Sequence, residues 1–187
     1  DGHTDATRDV QLLDNQRQFV SWSKDNTIRV WDLYNANQLG RYEKHTAGVN
    51  AVAVSPNGQQ FASGDIETGL ILWDMTTGEI LHEFTGVQFI HRILFNSDGS
   101  QMLTSALNGL FLHDTATYEL IWQNRFVAFT DARFSSDDSA IVGTSFTNSA
   151  GGIWIISTEN GNIINSVNNS SAVFSGDFVS EDEIAFS

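Results

Sequence analysis

No cysteine occurs in the 187 residues. This removes disulfides, thiolate metal sites and cysteine nucleophiles together. It does not fix a compartment, because both cytosolic and exported chains can lack cysteine; the cytoplasm is the working expectation. Basic residues are scarce as well: nine Lys and Arg stand against 23 Asp and Glu, a formal net charge of −14. The nine are scattered and form no basic patch, so a phosphate backbone would be repelled and nucleic acid is not expected as a partner. Acidity of this size keeps a chain in solution. No run approaches the ~20 apolar residues of a membrane-spanning helix, so no membrane insertion is expected. The opening residues do not have the form of a secretory leader. With 41% hydrophobic and 17% charged residues the composition is that of an ordinary folded domain.

Several catalytic signatures are also missing. There is no Gly-x-x-x-x-Gly-Lys-Ser/Thr phosphate loop, no His-Glu-x-x-His and no Gly-x-Ser-x-Gly elbow. The five histidines, His3, His45, His82, His91 and His113, form no short ligand cluster. Asp65 with Glu67, and Asp137 with Asp138, are close acidic pairs that read as solvated turn residues and not as a cation site. The overlapping Asn-x-Ser patterns at Asn168 and Asn169 matter only in a glycosylating secretory route. No metal and no cofactor are expected.

What is present is a repeat. Moving the segment from His45 to Asp74 back by 42 residues lays His45 on His3, Phe61 on Phe19, Ser63 on Ser21, Glu67 on Asp25, Trp73 on Trp31 and Asp74 on Asp32. The pattern continues in weaker form: Asn96-Ser97-Asp98-Gly99 follows Ser55-Pro56-Asn57-Gly58, and His113-Asp114 stands where Trp73-Asp74 stood. Ile153-Trp154-Ile155-Ile156 and Asn160-Gly161 then echo the core strand and the turn after it. Within a unit the hydrophobic period is two, carried by β-branched and aromatic residues between Gly- and Asn-containing turns. The second unit therefore predicts four strands, at residues 49–55, 60–64, 69–74 and 79–84. A lone sheet of this size cannot bury both faces, and stacked repeats solve that problem. The units fall at about 3–44, 45–85, 86–124 and 125–168, with a partial fifth at 169–187 containing strands near 172–179 and 184–187.

These residues resemble the WD40 family, over essentially the whole chain and most closely in the first two units. Gly2-His3 is similar to the Gly-His that opens its repeat, and the stretch from Ser23 to Asp32 (SKDNTIRVWD) is similar to its most recognisable segment. The resemblance implies an all-β propeller of four-stranded blades, here about four and a half of them, an expected incomplete arc of a larger propeller. It also implies a hydrogen-bonded structural tetrad of His, Ser, Asp and Trp in each well-formed blade. By position these are His3, Ser21, Asp25 and Trp31 in the first unit, and His45, Ser63, Glu67 and Trp73 in the second. A buried imidazole and indole need acceptors, which the hydroxyl and carboxylate supply. In the third unit Thr104, Asn108 and His113 take the Ser, Asp and Trp places. In the fourth, Gly143 and Arg125 take the Ser and His places and a longer turn spans 146–150, so no tetrad is expected in either.

His3, Ser21 and Asp25 include the residue types of a hydrolase triad. Their recurrence at repeat spacing argues for structure, since a catalytic site is needed once. Val87, Phe89, Arg125, Phe126 and Phe146 fall in loops on one expected face. Aromatics around an arginine suit a partner-binding surface, and the competing placement folds Phe89 and Phe126 into the core. The sequence predicts a non-catalytic scaffold that binds other proteins or other parts of a longer chain. Two alternatives stay open: a propeller enzyme, hydrolase or lyase, with a channel site; or the sensor arm of a bacterial signalling or defence protein, whose repeats the run from Ile71 to Ile80 resembles in style.

Overall fold

A computed structural model describes residues 2–13, 17–67, 69–126, 128–145, 151–169, 176–180 and 183–186. Among these residues every regular element is a strand. The first sheet holds β1 (Thr7–Leu12), β2 (Gln18–Ser23), β3 (Thr27–Asp32) and β4 (Gln38–Glu43); the second holds β5 (Val49–Val54), β6 (Gln60–Asp65), β7 (Leu70–Asp74) and β8 (Ile80–Phe84). The third holds β9 (Ile90–Phe95), β10 (Gln101–Ala106), β11 (Gly109–Asp114) and β12 (Leu120–Asn124). The fourth holds β13 (Phe129–Phe134), β14 (Ala140–Ser145), β15 (Gly151–Ser157) and β16 (Ile163–Asn169), and β17 (Gly176–Ser180) pairs with β18 (Glu183–Phe186) alone. Strands lie side by side in chain order in every sheet and pair antiparallel, as in β2 with β3 and β6 with β7.

The chain divides into two compact units, Asp1–Ile93 and Leu94–Ser187. The core of the first gathers Val20, Trp22, Ile28, Val49, Val52, Phe61, Ile71 and Trp73. Register explains why the 42-residue period preserves it. Phe19 faces Trp31 across β2 and β3, and Phe61 faces Trp73 across β6 and β7. Both pairs stack, with centroids 6.2 and 5.6 Å apart, and Tyr42 packs edge-on against Phe61 and Trp73. Such cross-strand aromatic pairs stabilise a sheet beyond their area. The second unit is built around Leu103, Leu110, Leu112, Trp122, Phe129, Ile141, Trp154 and Ile156.

Turns repeat as faithfully as strands. The carboxylates of Asp32, Asp74 and Asp114 each accept two backbone N–H groups of the following turn, from Tyr34 and Asn35, Thr76 and Thr77, and Ala116 and Thr117. Such Asx turns reverse the chain into the fourth strand. The fourth residue after each strand-ending position is left-handed: Ala36, Gly78, Tyr118 and Gly161 have φ of 57, 75, 64 and 71°. Only glycine takes that conformation without cost. Sheet faces differ in cover: Val10 on β1 is 55% exposed, whereas Val52, its counterpart on β5, is 7% exposed. The first sheet reaches the second through the Trp22 indole, which donates to the Asn50 carbonyl at 3.2 Å.

Candidate functional site

The chemistry-bearing side chains of the first unit meet in two networks, one per sheet. In the first, Trp31 Nε1 donates to Ser21 Oγ at 2.8 Å, and Ser21 Oγ lies 2.8 Å from His3 Nε2. His3 Nδ1 reaches Asp25 Oδ2 at 3.0 Å. One tautomer satisfies every group: the indole gives to the hydroxyl, the hydroxyl to Nε2, and Nδ1–H to the carboxylate. The loop ahead of β1, the body of β2, the turn after it and the end of β3 are tied by this single chain. Thr27 and Arg29 extend it. Thr27 Oγ1 donates to Asp25 Oδ1 at 2.7 Å, and the buried Arg29 guanidinium lies 3.8 Å from Asp25 Oδ2. Burial pushes the Asp25 carboxyl up, but hydrogen bonds from Thr27, Thr4 and His3 outweigh it and hold the group far below the usual carboxylate range.

The second network has the same geometry with a different acid. Trp73 Nε1 donates to Ser63 Oγ at 2.8 Å and Ser63 Oγ lies 2.7 Å from His45 Nε2. The carboxylate on His45 Nδ1, however, belongs to Asp65, at 2.9 Å, and not to Glu67. Glu67 contributes only its backbone N–H, donated to Asp65 Oδ1. The repeat register shows why. Ser23, Asp25 and Thr27 of the first sheet correspond to Asp65, Glu67 and Gly69 of the second. Where Thr27 places a side chain against His3, Gly69 leaves a void. A Cβ on Gly69 would lie 2.2 Å from Asp65 Oδ2 and 2.8 Å from His45 Nδ1. Asp65 fills that space from the strand end. It is therefore a buried network member and not the solvated turn residue that its sequence context suggested. Burial raises its pKa, and the bonds from His45, Gly69 and Glu67 together lower it below its ordinary value. The signal that pointed to Asp65 was present: a glycine where the first unit has threonine.

The third and fourth sheets keep the positions and lose the chemistry. Thr104 is buried with no partner for its hydroxyl among the described residues, and His113 is buried opposite Met102. At Gly143 a Cβ would lie 2.7 Å from the Phe129 ring, which occupies the hydroxyl's place and meets Trp154 edge-on at 5.8 Å.

The expected partner-binding residues separate. Val87 is fully buried and offers nothing to a partner; the loop before β9 turns it inward, where its burial stabilises the fold. Phe89 is 39% exposed in a left-handed conformation, φ 49°, anchored by its N–H to the Glu67 carbonyl at 2.7 Å. In the compact unit Leu94–Ser187, Arg125 is exposed and Phe126 is 71% exposed. Phe146 lies outside the described residues. No group of three His, Asp or Glu side chains capable of holding a metal occurs among the described residues.

The family model for the WD domain, G-beta repeat, matches residues 1–32 and 36–74, the two units that hold the networks. Residues 1–32 and 36–74 are thus WD40 repeats. The chain's four full sheets are propeller-type blades. It is 27% identical over 168 residues to the small ribosomal subunit protein RACK1y of Oryza sativa subsp. japonica, a match covering 84% of this chain and 50% of that protein. It is 30% identical over 102 residues to eukaryotic translation initiation factor 3 subunit I of Neurospora crassa, covering 54% of this chain and 30% of that one. RACK1 of Drosophila melanogaster is 32% identical over 98 residues, 51% of this chain and 31% of that one. The chain thus spans half the length of RACK1y or less of the other two. A crystal structure of the computationally designed Ika8 protein superposes on the whole chain with a TM-score of 0.84 at 22% identity, over 56% of its own length; at that identity the likeness is one of fold.

Proposed function

We propose that this WD40 chain is a non-catalytic scaffold that binds other proteins, and that its two His-Ser-Asp-Trp networks serve stability alone. One observation carries the reading. Ser21 and Ser63 sit in the geometry of a hydrolase nucleophile beside a His-Asp pair, yet each hydroxyl is buried and already accepts an indole N–H. A nucleophile needs a free lone pair and space for a carbonyl carbon about 3 Å away. Here a tryptophan occupies that approach twice, at repeat spacing. The names of the relatives support the same reading, since each denotes a subunit of a larger assembly. The surplus of acidic residues favours protein partners over nucleic acid.

The test is an activity-based fluorophosphonate probe followed by peptide mass spectrometry. No adduct is expected on the Ser21 or Ser63 peptides, in the native chain or after prolonged exposure. A stoichiometric adduct on either serine that disappears with His45→Ala or His3→Ala overturns the reading.

A further inference from the structure

The compact unit Leu94–Ser187 exposes apolar side chains, and its sheets lack the His-Ser-Asp-Trp networks. Leu107, in the turn between β10 and β11, is 56% exposed, and Phe126, in the loop after β12, is 71% exposed. These segments lie at the same end of the third sheet, because β10 and β12 run in the same direction with β11 between them. They also abut. Gly109 closes the first turn at φ 132°, and a Cβ on it would lie 2.3 Å from the Asn124 carbonyl oxygen and 3.1 Å from the Arg125 Cα. The loop is held from behind: Phe126 N–H donates to Asn124 Oδ1 at 3.0 Å, and Asn124 Nδ2 donates to the Gly161 carbonyl at 2.9 Å. Phe126 is thus presented to solvent by an anchored backbone.

Arg125 stands beside it. Its guanidinium carbon sits 5.4 Å from the centroid of the buried Phe111 ring, and its Nε donates to Gln123 Oε1 at 3.0 Å. Among the described residues no carboxylate pairs with it, in a chain that has 23 of them. A stacked, half-bonded guanidinium has little freedom left to lose, and its two terminal nitrogens keep the fork that matches a carboxylate. Flanking apolar groups exclude water around such a pair.

We infer that Leu107, Arg125 and Phe126 form a docking point for a short peptide that sets one carboxylate beside one apolar side chain. This rests on the protein-binding reading above and specifies its partner chemistry. The chain's net charge of −14 repels a polyanion at long range, so the fit is a single Asp or Glu in an apolar context, not an acidic run and not a phosphate backbone.

A phage-displayed library of random heptapeptides, selected on the immobilised chain, tests this. Enriched sequences should place Asp or Glu next to Leu, Phe or another large apolar residue, and the synthetic peptides should bind in fluorescence anisotropy. Changing the peptide's acid to its amide should weaken binding to the unaltered chain at least tenfold, a readout that needs no folded variant. On the chain, Arg125→Gln and Phe126→Ala should each weaken binding fivefold or more, with Arg125→Lys in between. Selection of no peptide, or of peptides indifferent to the acid-to-amide change, overturns the inference. Peptides that bind the Arg125→Gln chain equally well also overturn it, while leaving protein binding intact; a fluorophosphonate adduct would instead remove the scaffold reading itself.

Discussion

Gly69→Ala is the sharpest test of how the second network is built. The added Cβ would start 2.2 Å from Asp65 Oδ2 and 2.8 Å from His45 Nδ1, where ordinary contact needs about 3.5 Å. The carboxylate must retreat by roughly 1 Å. That breaks its bond to His45 Nδ1, now 2.9 Å, and its bond from the Gly69 N–H, now 2.8 Å. A buried imidazole N–H left without its acceptor costs about 1–3 kcal/mol, and forcing a methyl into a filled site costs about as much. The two overlap, and the stiffer backbone of alanine returns about 0.5 kcal/mol, so the expected net loss is about 3 kcal/mol. For a chain of this size that is a fall in Tm of about 6–12 °C. Thermal unfolding followed by circular dichroism gives the global value, and the Trp73 indole proton in NMR reports the network directly. The triple change Asp65→Ser, Glu67→Asp and Gly69→Thr copies the first network's residues into the second and should recover all but about 1 kcal/mol. A Gly69→Ala chain whose Tm stays within 2 °C of the parent, with an unmoved indole resonance, refutes the account.

Acid should loosen the same networks. Folding lowers the pKa of Asp25 and Asp65, so their stabilisation is complete above the unfolded carboxylate pKa of about 4 and is lost as pH falls through the folded-state values. Tm should be nearly flat between about pH 5 and 8 as far as these groups act, and drop below about pH 4; Asp65→Asn should shallow that drop, and an unchanged acid limb would count against it. At the third turn of each blade, Ala36 and Gly78 share a left-handed conformation, φ 57 and 75°. Ala36→Gly should therefore be neutral or stabilising by up to about 1 kcal/mol, and Gly78→Ala destabilising by about 1 kcal/mol; chemical denaturation that reverses this order would remove the backbone explanation.

The amino-acid sequence by itself determined the repeat and the strand period, because a two-residue period and a 42-residue spacing set which side chains share a face; the pairing of Phe61 with Trp73 came from the register of the folded sheet. It also located His3, Ser21, Asp25, Trp31, His45, Ser63 and Trp73, all of which sit at fixed offsets within strands or immediately before them. Tertiary structure decided the rest. Which acid meets His45 depended on space, since Asp65 reaches the imidazole only through the void that Gly69 leaves, and alignment at constant spacing pointed to Glu67 instead. Thr27 and Arg29 joined the first network through contacts that no motif announces. Loop residues diverged most: Val87 turned inward and Phe126 outward, although both are large, apolar and adjacent to a strand. Strands inherit their orientation from the pleat. A loop residue takes its orientation from whichever neighbouring surface offers it the better burial, and that surface exists only once the sheets have assembled.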